Sequence, residues 1–202
     1  MTLRRVGLFG GSFNPPHNGH VSAARRVLDT LAPDSLVIMP AGHPPHKEFP
    51  PGTPSPDDRL TMTKLAFAAW PKCEVSDWEM CNPAPGYTAD TLDRMRSGRC
   101  QLILIVGTDM FLTLHEWARA AELLAVTRVA VLARAGGQDS AISRQGAFLA
   151  HRYGAAIEWI PHEPVEISST ELRAMLRSGH GREFLPEAVY EYILEKRLYG
   201  VE

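Results

Sequence analysis

The sequence has few cysteines, no long apolar run and almost no net charge. Its three cysteines, Cys73, Cys81 and Cys100, are odd in number and lack the close spacing of a zinc site. Reduced thiols in a cytoplasmic protein are therefore expected, rather than a disulfide framework. Because no apolar run is long enough to cross a bilayer and the first residues show no signal-peptide pattern, no membrane partner is expected.

The formal net charge of −2 provides no general surface for polyanions. Bulk nucleic-acid binding is therefore not expected, and any recognition of phosphate must be local. A length of 202 residues, with 45% hydrophobic and 22% charged residues, suits one globular domain over residues 1–202. A helical section from about residue 165 is predicted to close this domain.

A glycine-rich segment near the N-terminus organises the rest of the sequence. Residues 3–9 are mostly apolar, as in a strand, and apolar residues at helical spacing follow soon afterwards. Between them, the backbone N–H groups of the turn and the start of the helix would face the same space, which favours phosphate. Gly10 and Gly11, which lack a β-carbon, would let a ligand approach the backbone closely. His17 and His20 lie three residues apart at the helix start, where both rings can point towards a bound anion.

Strands and helices alternate along most of the remaining chain. Continuous apolar runs are typical of strands buried on both faces, and a strand–helix–strand order implies a parallel sheet. The predicted strands are 3–9, 35–40, 73–78, 101–106, 127–133 and 156–160. This order predicts an α/β fold, a Rossmann-like doubly wound parallel sheet followed by a C-terminal helical section.

Several further positions are candidates for ligand contact, and each has a plain structural alternative. Loop 41–55 follows the second strand at the sheet edge where ligands sit, but a surface loop is equally compatible. Asp109, just after Gly107 and the fourth strand, suits a ribose hydroxyl contact or a helix cap. Trp117 stands at helical spacing with later apolar residues and would then belong to the core. Arg59 is compatible with a surface charge or with a side chain that pins a loop.

A second helix start lies near the C-terminus. Ser168 and Glu171 form a capping-box pattern, and Arg173 follows within the first turns of the helix. Taken alone, this segment is a well-capped helix. Together with the first helix start it would form a clamp for a polyphosphate, with imidazoles on one side and a guanidinium on the other.

These motifs together resemble the bacterial nicotinate-nucleotide adenylyltransferase family, within the H-x-G-H nucleotidyltransferase superfamily. The resemblance extends over essentially the full length, and its first and last motifs are shared by the whole superfamily. It is carried by residues 7–20, 44–47, 87–92, 107–109, 117, 167–173, 185–186 and 192–193.

The resemblance implies that AMP is transferred from ATP to nicotinate mononucleotide, giving deamido-NAD and pyrophosphate. The attack would be in line, without a covalent intermediate, and Mg²⁺ would accompany ATP without metal ligands from the protein. His17, His20 and Arg173 would be catalytic. The implied ATP-binding residues are Gly10, Gly11, Ser12, Phe13, His17, His20, Gly107, Asp109, Ile167, Ser168, Ser169 and Arg173. The implied mononucleotide-binding residues are His46, Lys47, Gly86, Tyr87, Thr88 and Trp117, with Trp117 stacking on the pyridine ring.

Two positions depart from the family pattern. Gly86 stands where a serine is usual, and Asn82 stands where an arginine is common. These departures weaken the case for side-chain contacts in this loop. Backbone amides there could still bind the nicotinate carboxylate, because they depend on the shape of the loop rather than on side-chain identity.

Other interpretations of the sequence stay open. Another H-x-G-H adenylyl- or cytidylyltransferase would share the first and last motifs, and a non-catalytic nucleotide-binding module would share the histidines. The spacing of His17 with His20, and of His43 with His46, also suits zinc, but no cysteine or carboxylate set completes such a site. A homodimer is compatible with the sequence.

Overall fold

The computed structural model of the chain describes residues 3–44, 48–82, 84, 86–133 and 140–201. These residues form a six-stranded sheet with helices on both faces. The strands are β1 (Arg4–Gly11), β2 (Ser35–Pro40), β3 (Cys73–Val75), β4 (Cys100–Gly107), β5 (Thr127–Ala133) and β6 (Ala156–Pro161). The helices are α1 (Asn18–Leu31), α2 (Pro56–Phe67), α3 (Trp78–Cys81), α4 (Thr88–Met95), α5 (Thr108–Thr113), α6 (Ala120–Val126), α7 (Ser140–Tyr153), α8 (Ser169–Arg177) and α9 (Glu187–Lys196). Short 3₁₀ turns cover Leu114–Glu116, Arg182–Phe184 and Leu198–Gly200.

The strand order is β3-β2-β1-β4-β5-β6, and neighbouring strands run parallel throughout. The direction in which strands are added reverses between β1 and β4. In such sheets ligands bind in the crevice at the carboxyl ends of the strands where this reversal occurs. The predicted Rossmann-like, doubly wound α/β fold is confirmed, and it places the end of β1 beside the end of β4.

Two apolar clusters hold the helices against the sheet. On one face Val27 of α1 and Met62 of α2 pack together with Leu172 of α8 and Val189 of α9. On the other face the side chains of α4, α5, α6 and α7 cover β4, whose residues from Leu102 to Val106 are all buried. The C-terminal helices therefore share one core with α1 and α2, which fixes α8 close to the start of α1.

The third strand and the Trp117 helix differ from the prediction. β3 ends at Val75, because the Ser76 hydroxyl accepts a hydrogen bond from the Trp78 N–H at 3.3 Å and begins a turn. Trp117 follows a 3₁₀ turn instead of opening a helix, and α6 begins only at Ala120. In the ranges that the structure describes, no helix has both the length and the apolar character needed to span a bilayer.

Candidate active site

The loop between β1 and α1 is shaped by one buried aromatic side chain. Phe13 is fully buried and has a positive φ of 42°. Its ring lies 4.9 Å from the His20 ring, measured between centroids. A Cβ on Gly11 would come within 3.2 Å of the Phe13 ring, so glycine leaves space for it. Any contact of Phe13 with ATP would therefore come from its backbone, while Gly10 lies exposed at the end of β1.

The two histidine rings lie in contact at the start of α1, with their planes tilted by 41°. His17 is the N-cap residue, and its backbone N–H donates a 3.2 Å hydrogen bond to His20 Nδ1. Since Nδ1 accepts, the neutral His20 ring carries its proton on Nε2, where it can donate to a ligand. The ring centroids lie 3.8 Å apart. A Cβ on Gly19 would lie 2.9 Å from His17 Nδ1, so glycine is needed beside this ring.

Both imidazoles are neutral in the unliganded protein near pH 7. Burial lowers the pKa of His17 from 6.5 to about 4. Burial lowers the pKa of His20 well below 6.5, and a charge on His17 would lower it further. Among the described residues, His17 Nδ1 has no hydrogen-bond partner although it is buried. The pair therefore offers donors without fixed charge, and a bound polyanion would raise both pKa values.

Arg173 brings the start of α8 to the histidine loop. Its Nη1 donates to the Asn14 carbonyl at 2.8 Å, and its Nη2 lies 3.1 Å from Thr170 Oγ1. Asn14 precedes His17 by only three residues, so the guanidinium lies against the loop that carries the histidines, as the predicted convergence requires. Arg173 remains cationic at neutral pH, as arginine does in proteins.

The predicted capping box at the start of α8 is confirmed. Ser168 Oγ accepts from the Glu171 N–H at 3.1 Å, and Glu171 Oε2 accepts from the Ser168 N–H at 2.9 Å. The Ser168 side chain is thus used by the helix, while Ser169 is the first residue of α8. Ile167 packs against the first apolar cluster. ATP contacts in this segment would therefore depend mainly on the helix start and on Arg173.

The end of β4 lies beside the histidine loop because β1 and β4 are paired neighbours. Gly107 is the N-cap residue of α5, so the alternative of Asp109 as the helix cap is wrong. Asp109 lies in the first turn of α5, and its side chain is exposed. A ribose contact by this carboxylate stays a prediction.

One of the predicted mononucleotide residues, Gly86, lies against the buried carboxyl group of Glu79. Gly86 and Tyr87 precede α4, Thr88 begins it, and the Gly86 N–H donates to the His43 carbonyl at 2.9 Å. Glu79 is 8% exposed and accepts a 2.7 Å hydrogen bond from the Thr91 hydroxyl. Burial raises the pKa of the Glu79 carboxyl. His46 and Lys47 lie outside the described residues.

Glu79 accounts for the unusual glycine in this loop. A Cβ on Gly86 would lie 2.8 Å from Glu79 Oε2, so a serine there would require the carboxyl group to move. A Cβ on Gly42, after β2, would lie 1.9 Å from the Glu79 carbonyl oxygen. Asn82, the other unusual residue, accepts a 3.1 Å hydrogen bond from the Ala84 N–H within its own turn. Both residues that depart from the family pattern therefore contribute to the conformation of the loop.

Arg119 ties the Trp117 turn to α4. Trp117 is half-buried and packs against the second apolar cluster, as its core interpretation requires. Arg119, at a positive φ of 58°, donates to Asp90 Oδ1 at 2.8 Å and to Asp93 Oδ2 at 2.8 Å. Both acids lie on α4, whose first residues belong to the predicted mononucleotide pocket. The ion pairs therefore hold two predicted parts of that pocket together.

Arg59 supports the site by holding two of its loops. The sequence was compatible both with this role and with a surface charge. Its side chain is buried, and Nη1 donates to the Ser12 carbonyl at 3.0 Å and to the Ala41 carbonyl at 2.8 Å. The Phe49 ring lies 4.2 Å from its guanidinium carbon. Arg59 therefore pins the loops that follow β1 and β2, and no sequence signal distinguished this role from that of a surface charge.

A cavity of about 370 Å³ opens at the edge of the sheet between β2, β3 and α4. Its lining includes Met39, Trp78 and Arg94, and none of the predicted site residues that the structure describes takes part in it. The histidine pair and Arg173 lie instead at the open crevice by the end of β1, where the fold predicts ligand binding.

Known proteins are similar to this chain in both sequence and fold. The sequence model of the cytidylyltransferase-like family matches residues 8–175. A probable nicotinate-nucleotide adenylyltransferase of Pseudomonas syringae pathovar tomato is 36% identical, over 97% of this chain and 94% of the relative. One from Geobacter sulfurreducens is 34% identical, over 97% of this chain and 98% of the relative.

Solved structures of such enzymes are also similar to this chain in fold. The nicotinic acid mononucleotide adenylyltransferase of Plasmodium falciparum complexed with NaAD superimposes with a TM-score of 0.76, at 15% identity and with 98% of each chain covered. The same enzyme complexed with APC gives a TM-score of 0.74 at 15% identity, again over 98% of each chain. From the family match and the full-length relatives together, the chain belongs to the cytidylyltransferase-like family and, within it, to the nicotinate-nucleotide adenylyltransferases.

Proposed function

We propose that this protein transfers the AMP part of ATP to nicotinate mononucleotide, forming nicotinate adenine dinucleotide and pyrophosphate. The observation that carries this proposal is the contact between Arg173 and the Asn14 carbonyl at 2.8 Å. It joins two helix N-termini, one with a neutral histidine pair and one with a guanidinium, at the carboxyl edge of the sheet. Such a pair of helix starts suits a triphosphate.

The reaction is an in-line displacement without a covalent intermediate. A phosphate oxygen of the mononucleotide attacks the α-phosphorus of ATP and forms a new P–O bond. The bond from that phosphorus to the bridging oxygen of the β-phosphate breaks, and pyrophosphate leaves with the electron pair. Because the nucleophile is already an anion, the protein needs no general base, and positioning and charge stabilisation supply the acceleration.

The two helix starts have different roles in this displacement. His20 donates its Nε2 proton as a hydrogen bond to an α-phosphate oxygen, where negative charge develops. Arg173 and the N–H groups at the start of α8 hold the β- and γ-phosphates and then the departing pyrophosphate. His17 lies at the same helix start and contacts the phosphates beside His20.

Mg²⁺ bound with ATP would neutralise phosphate charge. In the described part of the chain, no three His, Cys, Asp or Glu side chains are grouped closely enough to hold a metal ion. As the sequence resemblance implies, we expect the ion to be held by phosphate oxygens and water rather than by a protein cage.

The pocket near Gly86, Tyr87 and Thr88 selects the acid form of the mononucleotide. The eight-residue helix α4 begins there, and the backbone N–H groups and the positive end of its dipole favour a carboxylate over a neutral amide. Trp117 supplies the apolar wall for the pyridine ring. A cytoplasmic location, expected from the sequence, is part of this proposal.

One assay tests the proposal. The protein is incubated with Mg²⁺, ATP or CTP, and either nicotinate or nicotinamide mononucleotide, and the dinucleotide formed is identified by mass spectrometry. We expect the ATP and nicotinate pair to give the highest kcat/KM, and His20→Ala to lower kcat by roughly 100-fold or more, as loss of a transition-state donor does. A preference for CTP would favour a cytidylyltransferase instead. Binding of ATP without any pyrophosphate release would refute the transferase assignment.

A further inference from the structure

Asn14 is held by three different segments of the chain. Its side chain is 1% exposed, and Nδ2 donates to Thr53 Oγ1 at 3.0 Å. Its Oδ1 accepts from the Tyr199 hydroxyl at 2.9 Å, and its carbonyl accepts from Arg173 Nη1 at 2.8 Å. The loop before α2, the C-terminal turn and α8 thus all meet at one residue of the histidine loop.

The C-terminal turn is built in an unusual conformation at the residue that reaches Asn14. Tyr199 has a φ of 61°, in the left-handed region that non-glycine residues rarely adopt, and its side chain is 6% exposed. Arg197 and Gly200 on either side also have positive φ values, of 50° and 80°. Strained backbone of this kind persists only where surrounding contacts determine it. Here the contact is the buried hydrogen bond to Asn14, 185 residues away along the chain.

The segment between Asn14 and His17 has little freedom of backbone rotation. Pro15 and Pro16 separate Asn14 from His17, and both are buried. Each proline ring fixes φ, so this short segment cannot absorb a displacement by rotation as freely as other residues could. A shift of Asn14 is therefore passed on to His17 and, through the hydrogen bond from the His17 N–H, to the His20 ring.

We propose that Asn14 and Tyr199 are positioning residues for adenylyl transfer, an inference that rests on the proposed function. They fix the histidine loop against Arg173, so that both phosphate-binding helix starts can bind the same triphosphate. The C-terminal turn is thereby part of the catalytic arrangement through its hydrogen bond to Asn14. A purely structural role for this network would lower stability without changing the turnover of the folded protein.

Tyr199→Phe tests this proposal, because it removes the donor and keeps the ring. We expect kcat to fall by about 10- to 100-fold, as a small misplacement of reacting groups does, while the KM for nicotinate mononucleotide stays within about twofold. Tyr192→Phe is the matched control. The Tyr192 hydroxyl donates a 2.9 Å hydrogen bond to Asp58 Oδ1, also from the C-terminal section but to α2 instead of to Asn14. Its kcat should stay within about twofold of the wild type.

Thr53→Val gives a second, independent variant, since it removes the Nδ2 partner of Asn14 and leaves the C-terminal turn unchanged. We expect its kcat to fall as well. If Tyr199→Phe does not fold, Thr53→Val alone tests the positioning role. A kcat unchanged in either folded variant, with only a lower melting temperature, would overturn the positioning role. A wild-type protein that forms no dinucleotide would overturn the proposed function, and this inference with it.

Discussion

Acidification should weaken the fold through His17, and replacing His17 by asparagine should remove that part of the weakness. The His17 side chain is 7% exposed, and burial lowers its pKa from 6.5 to about 4. Between these two pKa values the unfolded chain binds a proton at His17 and the folded chain does not. The contribution of His17 to the free energy of unfolding is therefore fully present above pH 6.5 and is lost as the pH falls towards 4.

The size of the effect follows from the two pKa values. A difference of 6.5 minus about 4 is about 2.5 units, which corresponds to about 3 kcal/mol when the whole window is crossed. At about pH 5 most of this, about 2 kcal/mol, is already lost. This is a large share of the roughly 5 to 15 kcal/mol by which domains are stable. The raised pKa of Glu79 acts in the opposite direction, but it is common to both proteins and cancels in their difference.

Urea unfolding followed by circular dichroism measures the effect at neutral pH and at about pH 5. Asparagine is a preferred N-cap residue, so His17→Asn keeps the start of α1. We expect the wild type to lose about 2 kcal/mol more than the variant between the two pH values. Equal losses in the two proteins would show that His17 is not held neutral by burial, and the neutral-donor description of the histidine pair would fail.

Two further variants test the arginines that support the site. Arg119→Asn keeps a residue that tolerates positive φ but removes the ion pairs to α4, so the KM for nicotinate mononucleotide should rise several-fold while the KM for ATP is unchanged. The control is Arg4→Asn, which breaks an exposed 3.7 Å ion pair between Arg4 at the start of β1 and Glu74 of β3, and an equal effect of both would refute the reasoning. Arg59→Met should change the free energy of unfolding by only about 1 kcal/mol, because relief from burying a charge offsets two lost hydrogen bonds. Its kcat/KM should nevertheless fall, since the loops after β1 and β2 lose their shared anchor, and full activity would contradict that role.

Local signals explain what the sequence could predict. The capping box of Ser168 and Glu171 depends on residues three apart, and the strand-to-helix passage at His17 and His20 is equally local. The parallel sheet follows from the alternation of apolar strands and helices. Once that topology is known, the carboxyl ends of β1 and β4 must be neighbours, which brings His20 and Gly107 to the same edge.

The contacts that the sequence could not predict join residues that are far apart along the chain. Arg59 reads equally well as a surface charge, because its acceptors are backbone carbonyls, which any residue provides. The Asn14 to Tyr199 hydrogen bond spans 185 residues and follows no spacing rule. The apolar spacing around Trp117 predicted one helix, but the left-handed backbone at Arg119 starts a new one instead. Tertiary contacts compensate for that conformation, and they are invisible locally.

The glycine at position 86 shows how such a tertiary contact can alter a motif without removing its function. Glu79 Oε2 occupies the space that a side chain at this position would need, since a Cβ on Gly86 would lie only 2.8 Å from that oxygen. The Gly86 N–H is bound by the His43 carbonyl, and the loop before α4 is thereby fixed by its backbone. A hydroxyl at position 86 is then not required for the pocket to present N–H donors at the start of α4. The proposed acid preference consequently depends on the position of Glu79, which sets the shape of the loop, rather than on the serine that the family usually carries.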